Sequence, residues 1–456
     1  MNQAASMLEV MASLEAQIAH HQTQAGRPAM SKPKAILGVC CLLLSLLSGC
    51  ASGAEEPPGI PESPRLIALA AQVRGGDAAA AGKFWEEIAK PGAPLVEPVP
   101  GDDRLVRVTF LWLGDPGTRG VFLLGSLSGE ALLAHLDGTD VWFRSYTVRK
   151  DARFTYRLAP FRGSVPKDSG KIRETATVDP LNPRRHPPTG KPLLSVAEMP
   201  AAPAQPWIVR RPGTPSGAVK DGMTVPSSIL KGSRPVAVYT PPGYEAGRTY
   251  PLLIVFDGSA YRDLIPLPVI LDNLIGAGHI PPVVAVLAGR LEADERENDL
   301  SCSRPFSRFV AEELLPWARK GYLVTLEPGG VILAGSSLGG LAAACAAMER
   351  PDLFGNVLSQ SGAFWWKPEG DTQFEWVSRQ LANRPRLPLR FYLDVGSLEV
   401  RRKVGNGIDL YGANHRLAET LRAKGYDHLF AEFVGGHGHA NWQGTISDGL
   451  VFLLKR

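Results

Sequence analysis

The stretch Val331-Ile332-Leu333-Ala334-Gly335-Ser336-Ser337-Leu338-Gly339-Gly340 decides how this chain of 456 residues is organised. An apolar, strand-like run ends in Gly-x-Ser-x-Gly, and the small-residue run that follows is typical of a helix. A sharp strand-to-helix turn of this kind lifts one serine out of a sheet and exposes its hydroxyl. Gly335 and Gly339 leave space where side chains would crowd the turn. The stretch therefore predicts Ser337 as a nucleophile at the start of a helix.

Apolar strand-like runs alternate with helical patterns on both sides of this turn. Such alternation predicts a mostly parallel sheet that helices cover on both faces. We therefore expect an α/β domain of the α/β-hydrolase class over residues 226–456. Besides the strand before Ser337, its predicted strands are residues 235–239, 250–256, 282–287, 357–361, 390–395 and 429–434.

The preceding part of the chain has a two-residue period instead. Gly and Asp turns separate strand-like runs at residues 106–112, 120–124, 140–146 and 154–158. Several short strands at this spacing predict a β-sandwich of the Ig-like kind. We expect this smaller domain over residues 66–200, with two short helical patterns at its start. A linker rich in Pro, Gly and Arg is expected over residues 201–225.

A nucleophilic serine of this fold needs an acid and then a histidine further along the chain. The strand that ends at Val395 runs into Gly396-Ser397-Leu398-Glu399, so Glu399 stands just past the carboxyl end of a strand. Asp394 is the alternative acid, although it lies inside the strand pattern. We expect Glu399 to orient the catalytic imidazole.

The last predicted strand runs into Gly435-Gly436-His437-Gly438-His439. Glycines around a histidine let the backbone turn and present the imidazole at the edge of the sheet. We expect His437 as the general base. His439 is the alternative base and is otherwise a polar loop residue.

Together these residues predict ester hydrolysis through a serine nucleophile. His437 would take the proton of Ser337 during attack and return it to the leaving alkoxide, while Glu399 would stabilise the imidazolium. The backbone N–H groups of Leu338 and Gly258 would bind the oxyanion. This chemistry requires neither a metal nor an organic cofactor.

Composition excludes several other classes of function. A net charge of +4 and a hydrophobic content of 44% are ordinary for a globular protein. The sequence has no block of five or six basic residues, so we expect no nucleic-acid partner. Its cysteines form neither a CxxC pair nor the spacing of a zinc site. A disulfide framework is not expected, and a single Cys302–Cys345 bridge is left open.

Residues 1–50 are predicted to be a leader that carries a lipoprotein signal at 30–50. Lys32 and Lys34 precede an apolar run that is too short to span a membrane. Leu47-Ser48-Gly49-Cys50 follows and resembles the lipobox of bacterial lipoproteins, in which the cysteine is lipidated. We therefore expect Cys50 to attach the protein to a membrane.

The rest of the leader is interpreted from this signal. We expect Met30 rather than Met1 as the true start, and a flexible tether over residues 51–65. The expected location is the periplasmic side of the outer membrane. An uncleaved anchor, or a soluble periplasmic or secreted protein, is the alternative.

The motifs as a set resemble the enterochelin (enterobactin) esterase family over roughly residues 80–450. In the α/β part the resemblance rests on Val238–Tyr244, Leu253–Gly258, Ile280–Val284, Glu312–Trp317, Ala334–Gly340 and Leu358–Gly362. In the β part it rests on Phe84-Trp85, Leu136–Trp142, Asp179-Pro-Leu-Asn-Pro183 and Gln205-Pro-Trp207. The resemblance implies hydrolysis of the trilactone of a catecholate siderophore such as ferric enterobactin, with release of its iron.

Two further site residues follow from the resemblance alone. Arg296 resembles the family's arginine beside the pocket, where a guanidinium suits an anionic ferric tris-catecholate. Trp365, in the pair Trp365-Trp366, would stack on a catechol ring. The sequence also departs from the family, because the pattern Gly-Gly-His-Asp reads Gly-Gly-His437-Gly438 here. The family's familiar two-domain members are cytoplasmic, unlike a chain with a lipoprotein leader.

Two other functions are compatible with these residues. One is a periplasmic carboxylesterase acting on feruloyl or acetyl groups of polysaccharide, with the β-sandwich as an accessory module. The other is a surface lipoprotein that keeps the fold and binds without catalysis. The intact set of Ser337, Glu399 and His437 argues against the second.

Overall fold

A computed structural model describes residues 61–125, 127, 129–166, 168–187, 193–289, 293–400 and 409–455. The predicted leader, its two alternative starts and the lipid-attachment residue Cys50 lie outside these residues. So do the first ten residues of the predicted tether. The end of that tether differs from expectation, since a helix already begins at Pro64 and its N-cap Ser63 is buried.

The N-terminal part is a β-sandwich preceded by two helices, as the two-residue period predicts. The helices are α1 (Pro64–Arg74) and α2 (Ala80–Ala89), and a third, α3 (Ser169–Glu174), follows the seventh strand. The strands are β1 (Leu95–Pro98), β2 (Leu105–Leu113), β3 (Gly120–Gly125), β4 (Gly129–Leu132), β5 (Ala134–His135), β6 (Val141–Arg149), β7 (Arg153–Phe161), β8 (Arg185–His186) and β9 (Leu194–Glu198). One sheet has the order β1-β2-β6-β5 and the other β4-β3-β7-β9-β8.

Strand β2 shows how the alternating side chains build this domain. Val108 and Phe110 point between the two sheets, where Phe110 contacts Tyr156 of β7 edge to face at 4.7 Å. Leu111 points to the opposite face and packs with Phe84 of α2. Because successive strand residues face opposite sides, the first sheet is buried on both faces.

The C-terminal part is built on one sheet with the order β10-β11-β13-β12-β14-β15-β16-β17. Its strands are β10 (Ala218–Ser227), β11 (Gly232–Thr240), β12 (Leu252–Val255), β13 (Val284–Ala288), β14 (Val331–Ser336), β15 (Asn356–Gln360), β16 (Arg390–Gly396) and β17 (Asp427–Phe433). Strand β11 is antiparallel to both of its neighbours, and the strands from β13 to β17 pair in parallel.

Helices cover both faces of this sheet, which confirms the predicted α/β-hydrolase architecture. They are α4 (Gly258–Asp263), α5 (Leu267–Gly276), α6 (Ala293–Leu300), α7 (Arg304–Phe309), α8 (Leu315–Gly321), α9 (Leu338–Glu349), α10 (Trp376–Ala382), α11 (Leu410–Ala423) and α12 (His439–Leu454), with a π-helical turn between α7 and α8. One face packs against α9 and its neighbours, and the other packs against α5 and α12. The start of the sheet differs from expectation, because β10 begins at Ala218 inside the predicted linker.

A tight seam joins the sandwich to the last strand and last helix of the α/β part. The N–H of Arg153 donates to the carbonyl of Val434 at 2.8 Å. Gln205 donates to the carbonyl of Ala440 and accepts from Gln443, both at 2.8 Å. These bonds fix the sandwich against the segment that carries His437.

Among the helices of the described residues, none combines the length and the apolar character needed to cross a membrane.

Candidate active site

Ser337 lies at the apex of the turn between β14 and α9. Its φ is 55° and its ψ is −122°, a conformation that costs energy for a residue with a side chain. Hydrogen bonds hold it in place: its N–H donates to the carbonyl of Gln360 at 2.9 Å. Its own carbonyl accepts from Leu341 at 3.1 Å and from Ala363 at 3.0 Å. The elbow is therefore fixed from the neighbouring strand as well as from its own helix.

The glycines around Ser337 do not all serve the same purpose. A Cβ on Gly335 would lie 2.6 Å from the carbonyl carbon of Gly339, and one on Gly340 would lie 2.2 Å from Ser359 Oγ. A Cβ on Gly339 would lie 3.5 Å from Asp257 Oδ2, which is an ordinary contact. Steric crowding therefore requires Gly335 and Gly340, whereas the sequence predicts Gly335 and Gly339.

Glu399 and His437 form a hydrogen-bonded pair past the ends of β16 and β17. Nδ1 of His437 lies 2.7 Å from Oε2 of Glu399. The glutamate side chain is 2% exposed and the histidine side chain 35% exposed. The other carboxylate oxygen, Oε1, accepts from Ser361 Oγ at 2.7 Å and from the N–H of Gly396 at 2.8 Å. One oxygen is thus anchored while the other faces the imidazole.

Asp394, the alternative acid, is fully buried inside β16. Its Oδ1 accepts from the N–H of Ser361 at 3.2 Å, and no bond within the described part of the chain joins it to His437. Burial raises the pKa of Asp394 to about 7; hydrogen bonds from Thr445 and Gln360 oppose that rise and the neighbouring Glu399 adds to it. Geometry therefore favours Glu399 over Asp394 as the partner of the imidazole.

Ser361 and Trp442 hold the acid, and neither is among the site residues predicted from the sequence. Trp442 Nε1 donates to Ser361 Oγ at 2.9 Å, and Ser361 in turn donates to Glu399. The edge of the Trp442 ring also contacts His437, with the ring centroids 4.8 Å apart. Trp442, Ser361, Glu399 and His437 therefore form a ring of side chains in which each contacts the next.

His439, the alternative base, has a different environment from the one expected. It is the first residue of α12 rather than a loop residue. Its ring contacts Trp442 edge to face at 5.2 Å and lies parallel to the ring of His186. Burial, followed by the effect of His186, lowers the pKa of His439 to about 3. In the described residues the acid Glu399 bonds to His437 and not to His439.

Gly258 and Leu338, the predicted oxyanion donors, occupy equivalent positions on neighbouring elements. Each is the first residue of a helix, α4 or α9, and these helices follow the paired parallel strands β12 and β14. The N–H of the first helical residue has no intrahelical partner, so both are open to a ligand oxygen. A Cβ on Gly258 would lie 2.4 Å from the carbonyl carbon of Leu287, so only glycine fits there.

Arg296 makes a bidentate ion pair with Asp257, which precedes Gly258. Its Nε and Nη2 both donate at 2.7 Å to the two carboxylate oxygens. The side chains are 16% and 11% exposed, respectively. A contact between this guanidinium and an anionic substrate stays a prediction, and an internal carboxylate already pairs with its charge. The pair fixes the loop that carries Gly258.

Trp365 lies two residues after Ala363, whose N–H binds the carbonyl of Ser337. It is half-buried against the core on the α9 side. Its neighbour Trp366 contacts Trp376 edge to face at 6.0 Å, whereas within the described residues Trp365 has no aromatic partner. Of the two tryptophans, Trp365 therefore has the ring that no other described aromatic ring contacts, and its stacking on a catechol stays a prediction.

A disulfide joins Cys302 to Cys345, with the Cα atoms 5.4 Å apart. The sequence left this single bridge open. Cys302 follows α6, which carries Arg296, and Cys345 lies in α9, which follows Ser337. The bridge therefore ties the Arg296–Asp257 pair to the helix of the elbow. The described ranges contain no cluster of three or more His, Cys, Asp or Glu side chains that could hold a metal ion.

Two family models match this chain. Residues 227–453 match the family described as "Putative esterase". Residues 107–208 match the family described as "Enterochelin esterase, N-terminal". The matches follow the α/β part and the β-sandwich in chain order.

Known proteins resemble the chain over both parts. An iron(III) enterobactin esterase of Dickeya dadantii is 30% identical over 414 residues, which are 81% of this chain and 92% of that protein. The crystal structure of a ferric enterobactin esterase from Salmonella typhimurium has a TM-score of 0.67 and 29% identity, and the match covers 82% of this chain and 98% of that one. The enterobactin esterase of Shigella flexneri, crystallised in the presence of enterobactin, has a TM-score of 0.66 and 27% identity, with coverage of 81% and 97%.

Proposed function

Because the chain belongs to the enterobactin esterase family and is an ester hydrolase, we propose that Ser337, His437 and Glu399 hydrolyse the ester bonds of a catecholate siderophore such as ferric enterobactin. The proposal is carried by the 2.7 Å bond between Glu399 and His437, on the sheet edge where the elbow also lies. Relatives named for enterobactin that match nearly their whole length support the substrate class.

The geometry assigns a step to each group. Glu399 occupies Nδ1 of His437, so Nε2 is the nitrogen that remains to take the proton of Ser337. The serine oxygen attacks a lactone carbonyl, and the N–H groups of Leu338 and Gly258 bind the oxyanion. His437 then gives the proton to the departing alkoxide oxygen, which becomes the free hydroxyl of the opened lactone. Water, activated by the same histidine, hydrolyses the acyl-enzyme and frees the carboxylate.

The decisive experiment follows product masses when purified protein is incubated with ferric enterobactin and, separately, with methyl ferulate. We expect opening of the trilactone and a fall of about 10⁴–10⁶-fold in kcat for Ser337→Ala. Ser233→Ala is the matched control, because it removes an exposed hydroxyl of β11 in the same domain. Cleavage of ferulate alone, or full activity of Ser337→Ala, would refute the proposal.

We also propose that the protein acts on the periplasmic side of the outer membrane, anchored by a lipid on Cys50. The Leu-Ser-Gly-Cys sequence supports the anchor. The Cys302–Cys345 bridge supports an oxidising compartment, since cytosolic thiols are normally kept reduced. Cys50→Ser should move the protein from the membrane fraction to the soluble fraction, with Cys40→Ser as the matched control. Unchanged membrane fractionation of Cys50→Ser would contradict the anchor.

A further inference from the structure

His186 is a buried histidine that the catalytic mechanism does not use. It ends β8 of the sandwich and is 1% exposed. Neither Nδ1 nor Nε2 has a hydrogen-bond partner in the described structure. A neutral imidazole carries one N–H donor and one acceptor nitrogen, and leaving them unpaired in a protein interior is costly. The two unpaired nitrogens of this buried side chain therefore need an explanation, such as a ligand that they bind.

The position of His186 points to a ligand. Its ring lies parallel to that of His439, with a 4° angle between planes and 6.4 Å between centroids. His439 is two residues beyond His437 and also contacts Trp442, the tryptophan that touches His437. The sandwich therefore extends an unpaired polar side chain into the neighbourhood of the acid–base pair.

The seam fixes this arrangement. Gln205 of the sandwich side bonds to Ala440, the residue after His439, and to Gln443 one helical turn further on. A Cβ on Gly435 would lie 2.6 Å from the carbonyl oxygen of Arg153, so the two parts meet at backbone distance just before His437. These contacts hold the segment that carries His439 against the sandwich side, which carries His186.

Both imidazoles are uncharged at neutral pH, because burial lowers the pKa of His186 to about 4 and that of His439 to about 3. A neutral imidazole donates one hydrogen bond in a fixed direction and does not form an ion pair with a carboxylate of the protein. Such a donor is suited to an anionic or partly anionic oxygen on a rigid aromatic ligand. Catecholate oxygens have this chemistry.

We propose that His186 and His439 form a subsite across the domain seam that donates hydrogen bonds to the catecholate oxygens of the substrate. The subsite rests on the proposed siderophore esterase function. It gives the β-sandwich a direct part in substrate binding, since one of its two imidazoles comes from β8. His186 acts here as a binding residue and leaves the chemistry at Ser337 unchanged.

The test measures binding of ferric enterobactin to the Ser337→Ala protein, which should bind without turnover, by quenching of tryptophan fluorescence. Adding His186→Phe should weaken binding by roughly 10-fold, the loss of one hydrogen bond to a charged acceptor. His186→Gln retains an N–H donor and should stay within about 3-fold of the parent. His135→Phe makes the same replacement at an exposed histidine of the sandwich and should change nothing.

Two further measurements separate binding from folding and from the proposed function. His186→Phe should melt no lower than the parent, because it removes an unpaired buried polar group. In the wild-type background the control His135→Phe should hydrolyse p-nitrophenyl acetate, which lacks a catechol, at the parental rate. Equal ferric enterobactin affinity of parent and His186→Phe would overturn the subsite alone. If the Ser337→Ala protein binds no ferric enterobactin while the wild type cleaves p-nitrophenyl acetate, the siderophore function fails and the subsite with it.

Discussion

Ser361 is the residue on which the geometry of the acid depends most directly. Its hydroxyl links Trp442 to Glu399, and its N–H binds Asp394. Its φ of 47° lies in the left-handed region, which is costly for any residue except glycine. A residue that keeps a strained backbone and serves three partners is expected to act on His437 through Glu399.

We predict that Ser361→Ala and Ser361→Gly both lower kcat by about 10- to 100-fold while KM changes less than threefold. Both variants remove the hydroxyl that positions Glu399, and neither touches the substrate. They should differ in stability, because glycine relieves the left-handed strain by roughly 1 kcal/mol. Steady-state kinetics and thermal melting measure the two effects.

This pair of variants separates positioning from folding. If Ser361 were merely structural, the more stable glycine variant would also be the more active one. Trp442→Phe, which removes the Nε1 donor, offers a second check. The double variant Ser361→Ala/Trp442→Phe should lower kcat by much less than the combined effects of the two single variants. The reason is that both substitutions remove the same bond.

At this scale the sequence predicted the residues that chain order and local motif determine. Ser337, Glu399 and His437 each stand just after a strand in an order that a hydrolase requires. Ser361, Trp442 and His186 could not be predicted in the same way. Their roles arise from contacts between segments that are far apart in the chain, such as the bond between Trp442 and Ser361, which are 81 residues apart. No local pattern encodes those contacts.

Among the secondary-structure elements, α6 and α9 are the pair that the disulfide couples. α6 carries Arg296, which holds the loop of Gly258, and α9 supplies the N–H of Leu338. The Cys302–Cys345 bridge thus connects the supports of both proposed oxyanion donors. The elements that must hold two N–H groups at a fixed separation are linked covalently.

We predict that reducing this bridge destabilises the protein by up to about 4 kcal/mol, the loop-closure value for cysteines 43 residues apart. Melting temperature should fall in dithiothreitol, and kcat should fall more than KM rises. The double variant Cys302→Ala/Cys345→Ala should behave like the reduced wild type and should not respond to dithiothreitol. A wild type that titrates two additional free thiols yet melts unchanged would contradict this prediction.

Elements with a clear hydrophobic period were predictable from sequence, and elements without one were not. Buried strands such as β12 and β13 are continuous apolar runs in the sequence, as expected for a parallel sheet. Strand β10 was not predicted, because its first five residues are exposed and show no apolar pattern. Pairing with β11 is what makes them a strand. An edge ribbon of this kind is defined by its partner rather than by its own side chains.

On the scale of the whole molecule, the seam makes the sandwich part of the candidate site. Arg153, Gln205 and His186 all reach the segment from Val434 to Gln443, which contains His437. The sequence predicted both domains and their order, but it gave no sign that their contact surrounds the catalytic histidine. Contacts between domains depend on the shapes of two folded surfaces. No sequence motif marks the residues of this seam, so it could not be predicted.

Asp394, deep in the core beneath the acid–base pair, makes global stability depend on pH. Burial raises its pKa to about 7, whereas an unfolded aspartate titrates near 4. The folded state therefore holds a proton that the unfolded state releases. The protonated carboxyl contributes to the free energy of unfolding fully below about pH 4, and this contribution is lost as pH rises through 7. Asp394→Asn cannot ionise, so its melting temperature relative to wild type should rise between pH 5 and pH 8, by an amount corresponding to at most about 3 kcal/mol. Asp103→Asn, which removes an exposed carboxylate, is the control. A difference between Asp394→Asn and wild type that stays constant across this range would show that Asp394 is ionised in the fold.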